Sequence, residues 1–261
     1  MTGQQSLSNK QRLDRALVAR GLAPTRSQAE HLVRLGEVTV DGRLASKPGQ
    51  MIDDTAQVQV ASRERYVSRA GLKLASVSNK LGVQFQDAVV LDVGSSTGGF
   101  TDYALRHGAK RVIAVDVGTN QLHPSLRGDA RIDLHEKTDI RDVRTSNRST
   151  EISNVEIQVS NIDIILIDVS FISLRQILPH IAEHLAAPQT VIVAMVKPQF
   201  EAGRHQLTRG GIVKNDKHRR QILAEFEVWA KRQFVIRDKA DSEVAGTHGN
   251  RERFYWLQLA S

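Results

Sequence analysis

Two lysines and two carboxylates stand where a suitable fold could gather them around one hydroxyl group. Asp168 and Lys197 each follow an apolar run of strand length, and Glu252 precedes another such run. Lys73 lies in a segment with the apolar spacing of a helix. A ribose hydroxyl is a weak nucleophile until a base draws its proton away, and this is chemistry that such a set of groups could perform.

A lysine serves as that base only where burial and a neighbouring positive charge lower its pKa. We predict Lys197 for this role, with Lys73 supplying the neighbouring charge and orienting the hydroxyl. Asp168 is expected to hold Lys197 in place, and Glu252 to position Lys73 or the ribose. Each residue alone also fits an ordinary role, as a surface lysine after a strand, a lysine on the wet face of a helix, or a carboxylate in a turn. Their combination with a cofactor site favours catalysis.

The segment Val90 to Asp102, with the sequence VLDVGSSTGGFTD, is predicted to bind that cofactor. An apolar strand runs here into a glycine-rich turn that opens a helix. The glycines lack the G-x-G-x-x-G spacing that binds a pyrophosphate, so a nucleoside cofactor without phosphates fits better. Asp92 leaves a carboxylate suited to a cationic amino-acid group, and Gly94 lets the backbone approach a ligand closely. S-adenosylmethionine has this shape and charge.

Two further carboxylates extend the predicted cofactor site. Asp116 ends the next apolar strand, 22 positions after Gly94, where a carboxylate can accept hydrogen bonds from both ribose hydroxyls of an adenosine. Asp139 is expected to end a third strand and to contact the adenine amino group. A hydride-transfer cofactor stays as an alternative, since the hydroxyls of residues 95–97 could donate to its phosphates. The expected cofactor residues are Asp92, Gly94, Ser95, Ser96, Gly98, Phe100, Asp116, Asp139 and Asp168. No metal ion is expected.

The composition and one loop argue against other methyl transfers. The chain has no cysteine, which excludes the thiolate attack by which enzymes methylate C5 of pyrimidines. Enzymes that methylate exocyclic amines usually have an N/D-P-P-aromatic loop after the corresponding strand, and the sequence Asp168-Val169-Ser170-Phe171 has neither proline. A ribose oxygen is the favoured acceptor of the methyl group.

From Tyr66 onward, predicted strands alternate with predicted helices, which implies an open, mostly parallel sheet with helices on both faces. Strands are predicted over 88–93, 111–115, 162–167, 190–196, 234–238 and 253–259, and helices over 70–81, 99–107, 174–185 and 217–232. Together with the strand expected to end at Asp139 these strands make seven, so we expect an α/β, Rossmann-like methyltransferase domain with a seven-stranded sheet over 66–261, whose ligands lie at the carboxyl ends of the strands. A linker is expected at 62–65, and the polar stretch 144–160 is expected to be a surface insertion.

Residues 10–61 are predicted to form a separate small α+β domain that binds RNA. Residues 10–80 carry 13 Lys and Arg against 7 Asp and Glu, whereas 81–261 carry 23 against 22, so most of the net charge of +7 lies at the front. A concentrated positive charge is typical of a phosphate-binding surface. The pattern from Arg26 to Gly42, followed by Lys47-Pro48-Gly49, resembles the S4 module first described in a ribosomal protein. The expected RNA contacts are Arg12, Arg15, Arg26, Arg34, Arg43, Arg65 and Arg69.

The chain as a whole resembles the TlyA family of bacterial ribosomal RNA ribose-2′-O-methyltransferases, which have an FtsJ-like catalytic domain and are often described as hemolysins. The resemblance rests on YVSRAGLKL from Tyr66, LDVGSSTGGFTD from Leu91, AVDVG from Ala114, DVSFISL from Asp168, VKPQFEAGR from Val196, GGIV from Gly210 and GNRE from Gly249. It implies a catalytic tetrad at Lys73, Asp168, Lys197 and Glu252, with S-adenosylmethionine as cofactor. It further implies methylation of cytidine ribose in large-subunit RNA, and in some members small-subunit RNA, within a ribosomal subunit or ribosome.

Two departures from the family pattern concern the cofactor site. The family usually has Tyr-Gly-Gln-Leu after Asp-Val-Gly, whereas this chain has Thr119-Asn120-Gln121-Leu122. Asp139 also stands where the family usually has Asn. Both differences put the strength of cofactor binding in question.

Two other classes of function compete with an enzyme. A ribosome-assembly factor could bind RNA and keep an inactive cofactor pocket, but the complete lysine and carboxylate set argues against it. A pore-forming cytolysin needs a membrane-length or amphipathic segment, and the most apolar runs, 164–167 and 191–196, have only the length of strands. Without cysteine or a secretory signal in the first nine residues, a cytoplasmic location is expected. The oligomeric state is left open.

Overall fold

The computed structural model describes residues 10–23, 25–34, 38–60, 66–145, 155–157, 161–208, 210–245 and 250–260. The chain divides into two compact units, with the boundary between Arg65 and Tyr66. Separate clusters of buried apolar residues form the core of each unit. The expected RNA contact Arg65 and the expected linker 62–65 lie outside the described residues. The same holds for 146–154 and 158–160 of the expected insertion.

The first unit packs two helices against short strands. Helix α1 spans Leu13–Ala19 and α2 spans Arg26–Arg34, and strands β1 to β5 span Lys10–Arg12, Val38–Val40, Arg43–Leu44, Met51–Asp53 and Val58–Val60. Strand β2 is the centre of an antiparallel sheet in the order β3-β2-β5, and β1 pairs with β4. Leu13 and Leu17, four residues apart on one helix face, are fully buried beside Val38. The apolar face of α1 therefore lies in the core of the first unit.

The second unit is built on a seven-stranded sheet. Strands β6 to β14 span Val89–Val93, Arg111–Val115, Ile132–His135, Val143–Thr145, Val155–Ile157, Ile164–Ile167, Val191–Val196, Phe234–Asp241 and Arg253–Leu259. The sheet has the order β13-β14-β12-β11-β6-β7-β8. Strand β14 is antiparallel to both of its neighbours, and the other pairs are parallel. The mostly parallel, seven-stranded sheet expected from the sequence is confirmed.

Helices cover both faces of this sheet. Helices α3 to α7 span Arg69–Ser78, Gly99–Arg106, Leu178–His184, Pro198–Glu201 and Asp216–Ala230, and 3-10 turns span Ile140–Asp142, Leu174–Gln176 and Arg204–Gln206. Alternate strand residues point to opposite faces, so Leu91 belongs to one core with α5 and α7, and Val90 to the other with α3 and α4. Within the described part of the chain, no helix is long and apolar enough to cross a membrane.

A crevice forms where the strand order reverses. From β6 the chain moves outward through β7 to β8, and it then returns to β11 on the other side of β6. Loops that leave in opposite directions at such a point open a ligand site at the carboxyl ends of the strands. Gly94 follows β6 with φ +81°, and a Cβ atom there would lie 2.7 Å from the backbone oxygen of Asp168 after β11. A residue with a side chain would therefore be strained at position 94.

Three expected elements differ from the observed ones. The third strand, β8, ends before Asp139, which instead caps the turn Ile140–Asp142 by accepting a hydrogen bond from the backbone of Arg141. The expected helix over 174–185 consists of a 3-10 turn and α5, which has proline in its first turn. The expectation of a purely surface insertion is wrong for its described parts. Strands β9 and β10 pair in parallel, and Ile157 is buried in the core because the stretch alternates apolar and polar residues.

Candidate active site

Three adjoining cavities lie at the carboxyl edge of the sheet. The first measures about 350 Å³ and is bordered by Gly94, Asp116 and Asp139. The second, about 140 Å³, shares Gly94 with the first and is bordered by Asp92. The third, about 350 Å³, shares Lys197 with the second. Together they form one cleft, which could hold a cofactor at one end and a substrate at the other.

The four residues predicted to perform the chemistry form two ion pairs on this cleft. The Nζ atom of Lys197 lies 2.6 Å from Oδ1 of Asp168, and Nζ of Lys73 lies 2.6 Å from Oε2 of Glu252. The four side chains are between 3% and 15% exposed. Lys73, Lys197 and Glu252 line the third cavity, and Asp168 with Lys197 lines the second. The fold thus brings together all four residues.

Each member of the pairs is held by its own element. Lys73 lies on α3, and the buried neighbour Leu74 fixes the orientation of that helix. Lys197 directly follows β12, and Pro198 opens α6 at the next residue. Glu252 directly precedes β14, whose register with β12 pairs Arg253 with Val196. Because β12 and β14 are adjacent, Lys197 and Glu252 reach the same cavity.

Lys197 has a second partner that the sequence reasoning missed. Its Nζ atom donates a hydrogen bond of 2.7 Å to Oγ of Ser170. Ser170 lines all three cavities and therefore lies at their junction. The signal that could have found it is its spacing, because side chains two residues apart lie on the same side of an extended segment, and Asp168 is two residues before it.

The second cavity contains buried polar atoms suited to an amino-acid group. Asp92 is fully buried, and burial raises the pKa of its carboxyl to about 7, against the opposing effect of a hydrogen bond from Thr101. Oδ1 of Asp92 and Oγ of Ser95 find no hydrogen-bond partner among the described residues. Buried polar atoms rarely stay unpaired. The ammonium and carboxylate of a methionine moiety would supply partners, so these residues fit S-adenosylmethionine.

The first cavity has two carboxylates at the positions expected for a nucleoside. Asp116 accepts backbone hydrogen bonds from Gly118 and Ser96, at 2.6 and 2.8 Å on different oxygens. Each oxygen keeps a second lone pair, which leaves room for a ribose hydroxyl. The carboxylate of Asp139 is held by the backbone N–H and the guanidinium of Arg141, which lowers its pKa. Both carboxylates line the cavity as hydrogen-bond acceptors.

Two expected cofactor residues are placed differently from the rest. Gly98 precedes α4 with φ +89° and is absent from the walls of the three cavities. Phe100 is buried in the core, 6.0 Å from the ring of Phe254, and one part of it closes the second cavity. Their contacts with a cofactor stay predictions. In the part of the chain that the structure describes, no group of three or more His, Asp or Glu side chains could hold a metal ion.

An exposed aromatic residue stands beside the third cavity. The side chain of Phe171 is 92% exposed, its φ is +68°, and its ring lies 5.4 Å from that of Phe200. It lines both the first and the third cavity. A large apolar side chain held in water by a strained backbone is uncommon, and such strain collects at functional sites. Phe171 belongs to the DVSFISL motif and to the loop that lacks prolines, but its residue type does not reveal its exposure.

In the first unit, two of the arginines expected to bind RNA contact a buried carboxylate. Arg12 lies 2.7 Å and Arg26 lies 3.0 Å from Oδ2 of Asp14, whose side chain is 0% exposed. The hydrogen bonds from Arg12 are the largest cause of a pKa lowered to about 2 for Asp14. The ion pairs with Asp14 thus neutralise part of the positive charge of these arginines within the unit. Asp14 was not predicted, and it is the charged residue of α1 that is buried with Leu13, Ala16 and Leu17.

The remaining arginines are placed as follows. Arg15 and Arg43 are exposed and belong to the first unit. Arg34 ends α2, and its side chain lies outside the described residues. Arg69 begins α3 in the second unit and donates a hydrogen bond to the backbone oxygen of Ala245. Of the expected RNA contacts whose side chains are described, Arg15 and Arg43 are exposed and belong to neither ion pair with Asp14.

The fold and the cleft define a Rossmann-like transferase with an additional small basic unit. The family model of the FtsJ-like methyltransferases matches residues 66–259, and that of the S4 domain matches residues 11–58. The chain is 36% identical over 255 residues to the 16S/23S rRNA (cytidine-2′-O)-methyltransferase TlyA of Mycobacterium tuberculosis, covering 97% of this chain and 91% of that protein. It is 39% identical over 212 residues to Hemolysin A of Brachyspira hyodysenteriae, covering 81% and 84%.

A solved structure supports the same grouping. A Streptococcus thermophilus protein described as a candidate hemolysin superposes with a TM-score of 0.70 at 36% identity, covering 98% of this chain and 90% of that chain. The chain belongs to the TlyA family of FtsJ-like methyltransferases and carries an S4 domain.

Proposed function

We propose that this chain transfers a methyl group from S-adenosylmethionine to the 2′-oxygen of cytidine in ribosomal RNA. The observation that carries the proposal is the pair of lysine–carboxylate contacts on the cleft, where the second cavity, which fits the cofactor, adjoins the third. The names of the relatives support the choice of cytidine and of ribosomal RNA. Because that RNA is the substrate, we also propose a cytoplasmic location.

Asp92 and Ser95 would hold the amino-acid part of the cofactor, and Asp116 and Asp139 its adenosine. When bound, S-adenosylmethionine supplies an electrophilic methyl group on a sulfonium. In the proposed reaction Nζ of Lys197 accepts the proton of the 2′-hydroxyl while the oxygen bonds to the methyl carbon, and the bond from that carbon to sulfur breaks to leave S-adenosylhomocysteine.

The two ion pairs have different tasks in this reaction. Asp168 stabilises the ammonium that Lys197 becomes when it takes the proton. Lys73 carries a positive charge on the wall of the third cavity, where it stabilises negative charge that develops on the 2′-oxygen. Glu252 keeps Lys73 in place. Because the side chains are withdrawn from water, these electrostatic effects are stronger than they would be at the surface.

We propose that residues 10–61 bind folded RNA, that 62–65 link the units, and that 66–261 perform catalysis. The target nucleotide is turned out of its helix, because a stacked 2′-hydroxyl cannot reach in-line geometry with the methyl carbon. Phe171 offers an exposed ring beside the third cavity on which the extruded base could stack. The alternative of a non-catalytic assembly factor would leave the two buried ion pairs without a use.

The test is mass-spectrometric mapping of ribose methylation on ribosomal RNA from cells that carry the wild-type chain or Lys197→Ala. The wild type is expected to add a 2′-O-methyl group to cytidine, and the variant to add none. Lys80→Ala is the matched control, because Lys80 is half-exposed and pairs with Glu243 outside the cleft. Identical methylation with Lys197→Ala, or a methyl group on a base, would refute the proposal.

A further inference from the structure

We infer that Ser170 is a positioning residue that directs the lone pair of Lys197 toward the hydroxyl to be methylated. The inference rests on the proposed function, since it concerns the orientation of the proposed base. Its starting point is that two oxygens surround Nζ of Lys197, Oδ1 of Asp168 at 2.6 Å and Oγ of Ser170 at 2.7 Å. These contacts come from one loop, residues 168–170, directly after β11.

The number of hydrogens on the amine nitrogen determines how many acceptors are needed to fix the direction of its lone pair. A neutral lysine has two N–H bonds and one lone pair at its nitrogen, and the –NH₂ group turns freely about the bond to Cε. A single acceptor holds one N–H and leaves two directions open to the lone pair. The ion-pair contact with Asp168 and the hydrogen bond to Ser170 occupy two of the directions around Nζ, so the lone pair has one direction left. Lys197 lines the second and third cavities, and that direction is available to a substrate hydroxyl.

A serine hydroxyl suits this task better than a second carboxylate would. A carboxylate in the place of Ser170 would favour the charged ammonium and so hold the proton on Lys197 before the substrate arrives. The neutral hydroxyl accepts an N–H from either protonation state of Lys197. Asp168 therefore supplies the charge that stabilises the protonated product, and Ser170 supplies direction.

The loop that carries Ser170 is fixed on both sides. Before it, the backbone N–H of Asp168 donates to the oxygen of Val93 at 3.0 Å. After it, both oxygens of the Glu201 carboxylate accept hydrogen bonds, from Oγ of Ser173 at 2.6 Å and from the backbone of Leu174 at 2.7 Å. A hydroxyl on a loop held in this way stays where Lys197 can use it.

The test compares Ser170→Ala, which removes the hydroxyl, with Ser170→Thr, which keeps it. Full-length variants are assayed for the single-turnover rate of methyl transfer to ribosomal RNA at saturating S-adenosylmethionine, and calorimetry measures the Kd of the cofactor. Ser170→Ala is expected to slow methyl transfer by about tenfold to a hundredfold, a part of what a general base contributes. The Kd is expected to change by less than about twofold, because Ser170 acts through Lys197. Ser170→Thr is expected to restore the rate to within about threefold of wild type.

Ser125→Ala is the matched control, since Ser125 is an exposed serine that contacts His123 and lines none of the three cavities. Wild-type rates in Ser170→Ala would overturn the inference. So would a slow Ser170→Thr with normal folding, because the hydroxyl would then not be the reason, and so would a loss confined to cofactor affinity. Lys197→Ala distinguishes a failure of the proposed function from a failure of the role inferred for Ser170. If it keeps full activity, the proposed function fails, whereas an inactive Lys197→Ala beside a fully active Ser170→Ala refutes the role of Ser170 alone.

Discussion

The Nζ atom of Lys73 lies 2.6 Å from Oε2 of Glu252, and the side chains are only 12% and 3% exposed. Lys73 lies on the first helix of the second unit and Glu252 directly before its last strand. A pair so withdrawn from water is stable only while both members are present, since a single remaining charge has neither water nor a partner. Breaking a buried ion pair on one side costs about 3–5 kcal/mol, whereas replacing both members is often neutral.

Single and double substitutions in this ion pair are therefore expected to separate its effect on stability from its effect on catalysis. Glu252→Ala is expected to lower the free energy of unfolding by about 3 kcal/mol and to abolish methyl transfer. The double variant Lys73→Met, Glu252→Ala is expected to regain most of the stability but none of the activity. Urea unfolding of the second unit and methyl transfer to ribosomal RNA measure the two effects. A double variant as unstable as Glu252→Ala would show that the charges are not coupled.

The pKa of Asp92, raised to about 7 by burial, predicts how the cofactor affinity depends on pH. Only the ionised carboxylate attracts the ammonium of S-adenosylmethionine. The affinity is therefore expected to rise by about tenfold between pH 6 and pH 8 and to level off above the pKa. Calorimetry across this range measures it. Asp92→Asn is expected to bind weakly at every pH, and Asp129→Asn, outside the cleft, to behave as wild type.

Asp92 also makes the stability of the fold depend on pH. Its contribution to stability falls as the pH rises, whereas the cofactor affinity increases. An unfolded aspartate ionises near pH 3.8, whereas Asp92 in the fold keeps its proton up to about pH 7. The folded state without cofactor is thus favoured most by this residue below pH 3.8, and that contribution is lost as the pH rises to about 7. Comparing the unfolding free energies of wild type and Asp92→Asn at pH 5 and pH 8 isolates it. Equal differences at both pH values would contradict the raised pKa.

The arginines of the first unit are of two kinds. Arg15 and Arg43 are exposed, whereas Arg12 contacts the buried Asp14. Arg15→Ala and Arg43→Ala are expected to weaken RNA binding and to reduce the slope of log K against log salt by nearly one each, because each exposed arginine releases about one counterion. Arg12→Ala is expected to lower stability only modestly, because Arg12 is 40% exposed and Arg26 still contacts Asp14.

Filter binding over a salt series and thermal unfolding distinguish these effects. Arg237→Ala, an exposed arginine of the second unit, is the charge-matched control. If Arg15→Ala and Arg43→Ala leave both the affinity and its salt dependence unchanged, RNA binds elsewhere on the molecule.

Features of this site that depend on local sequence were predictable. The strand, the turn at Gly94 and the helix after it are contiguous, so their residue types alone indicated a cofactor turn and placed Asp92 beside it. Most strands of the sheet were predictable for the same reason, because each contains a continuous apolar run, whereas β8, with the sequence IDLH, does not. The pairing of Lys73 with Glu252 was less accessible, since the two are far apart in the chain, and the family resemblance supported it.

Features that depend on a particular side-chain position were missed. Ser170 became visible only when Nζ of Lys197 was located. Asp14 resembled a surface charge in the helical pattern of α1, although two arginines enclose it. Ile157, inside a polar stretch, reaches the core only because β10 pairs with β9. The periodicity of a sequence indicates which face of an element a side chain lies on, but it does not indicate which residue that side chain contacts.

The exposed ring of Phe171 predicts a defect in RNA handling that spares the cofactor. Stacking of a base on an aromatic side chain contributes about 1–3 kcal/mol, so Phe171→Ala is expected to lower kcat/KM for RNA by about tenfold to a hundredfold. Phe171→Trp is expected to retain activity, because the ring is kept. Calorimetry with S-adenosylmethionine should give wild-type affinity for both variants. A Phe171→Ala enzyme with normal kcat/KM would show that the base does not stack there.

The buried carboxylate of Glu201 predicts that the catalytic loop can be loosened without touching the cleft. Its side chain is 2% exposed, and burial raises its pKa. Glu201→Ala removes the partners of Ser173 and of the backbone of Leu174, at an expected cost of about 1–3 kcal/mol. Methyl transfer is also expected to slow, because the loop that carries Ser170 loses its anchor.

The raised pKa of Glu201 also makes the stability of the fold depend on pH. Because the pKa of Glu201 is raised in the fold, its ionisation disfavours the folded state as the pH rises from about 4.5. Glu201→Gln removes this titration while keeping one acceptor oxygen, so its stability relative to wild type should improve from pH 4 to pH 7. Thermal unfolding across this range measures the difference. A constant difference would show that Glu201 titrates alike in both states, and the loop would then depend on its hydrogen bonds alone.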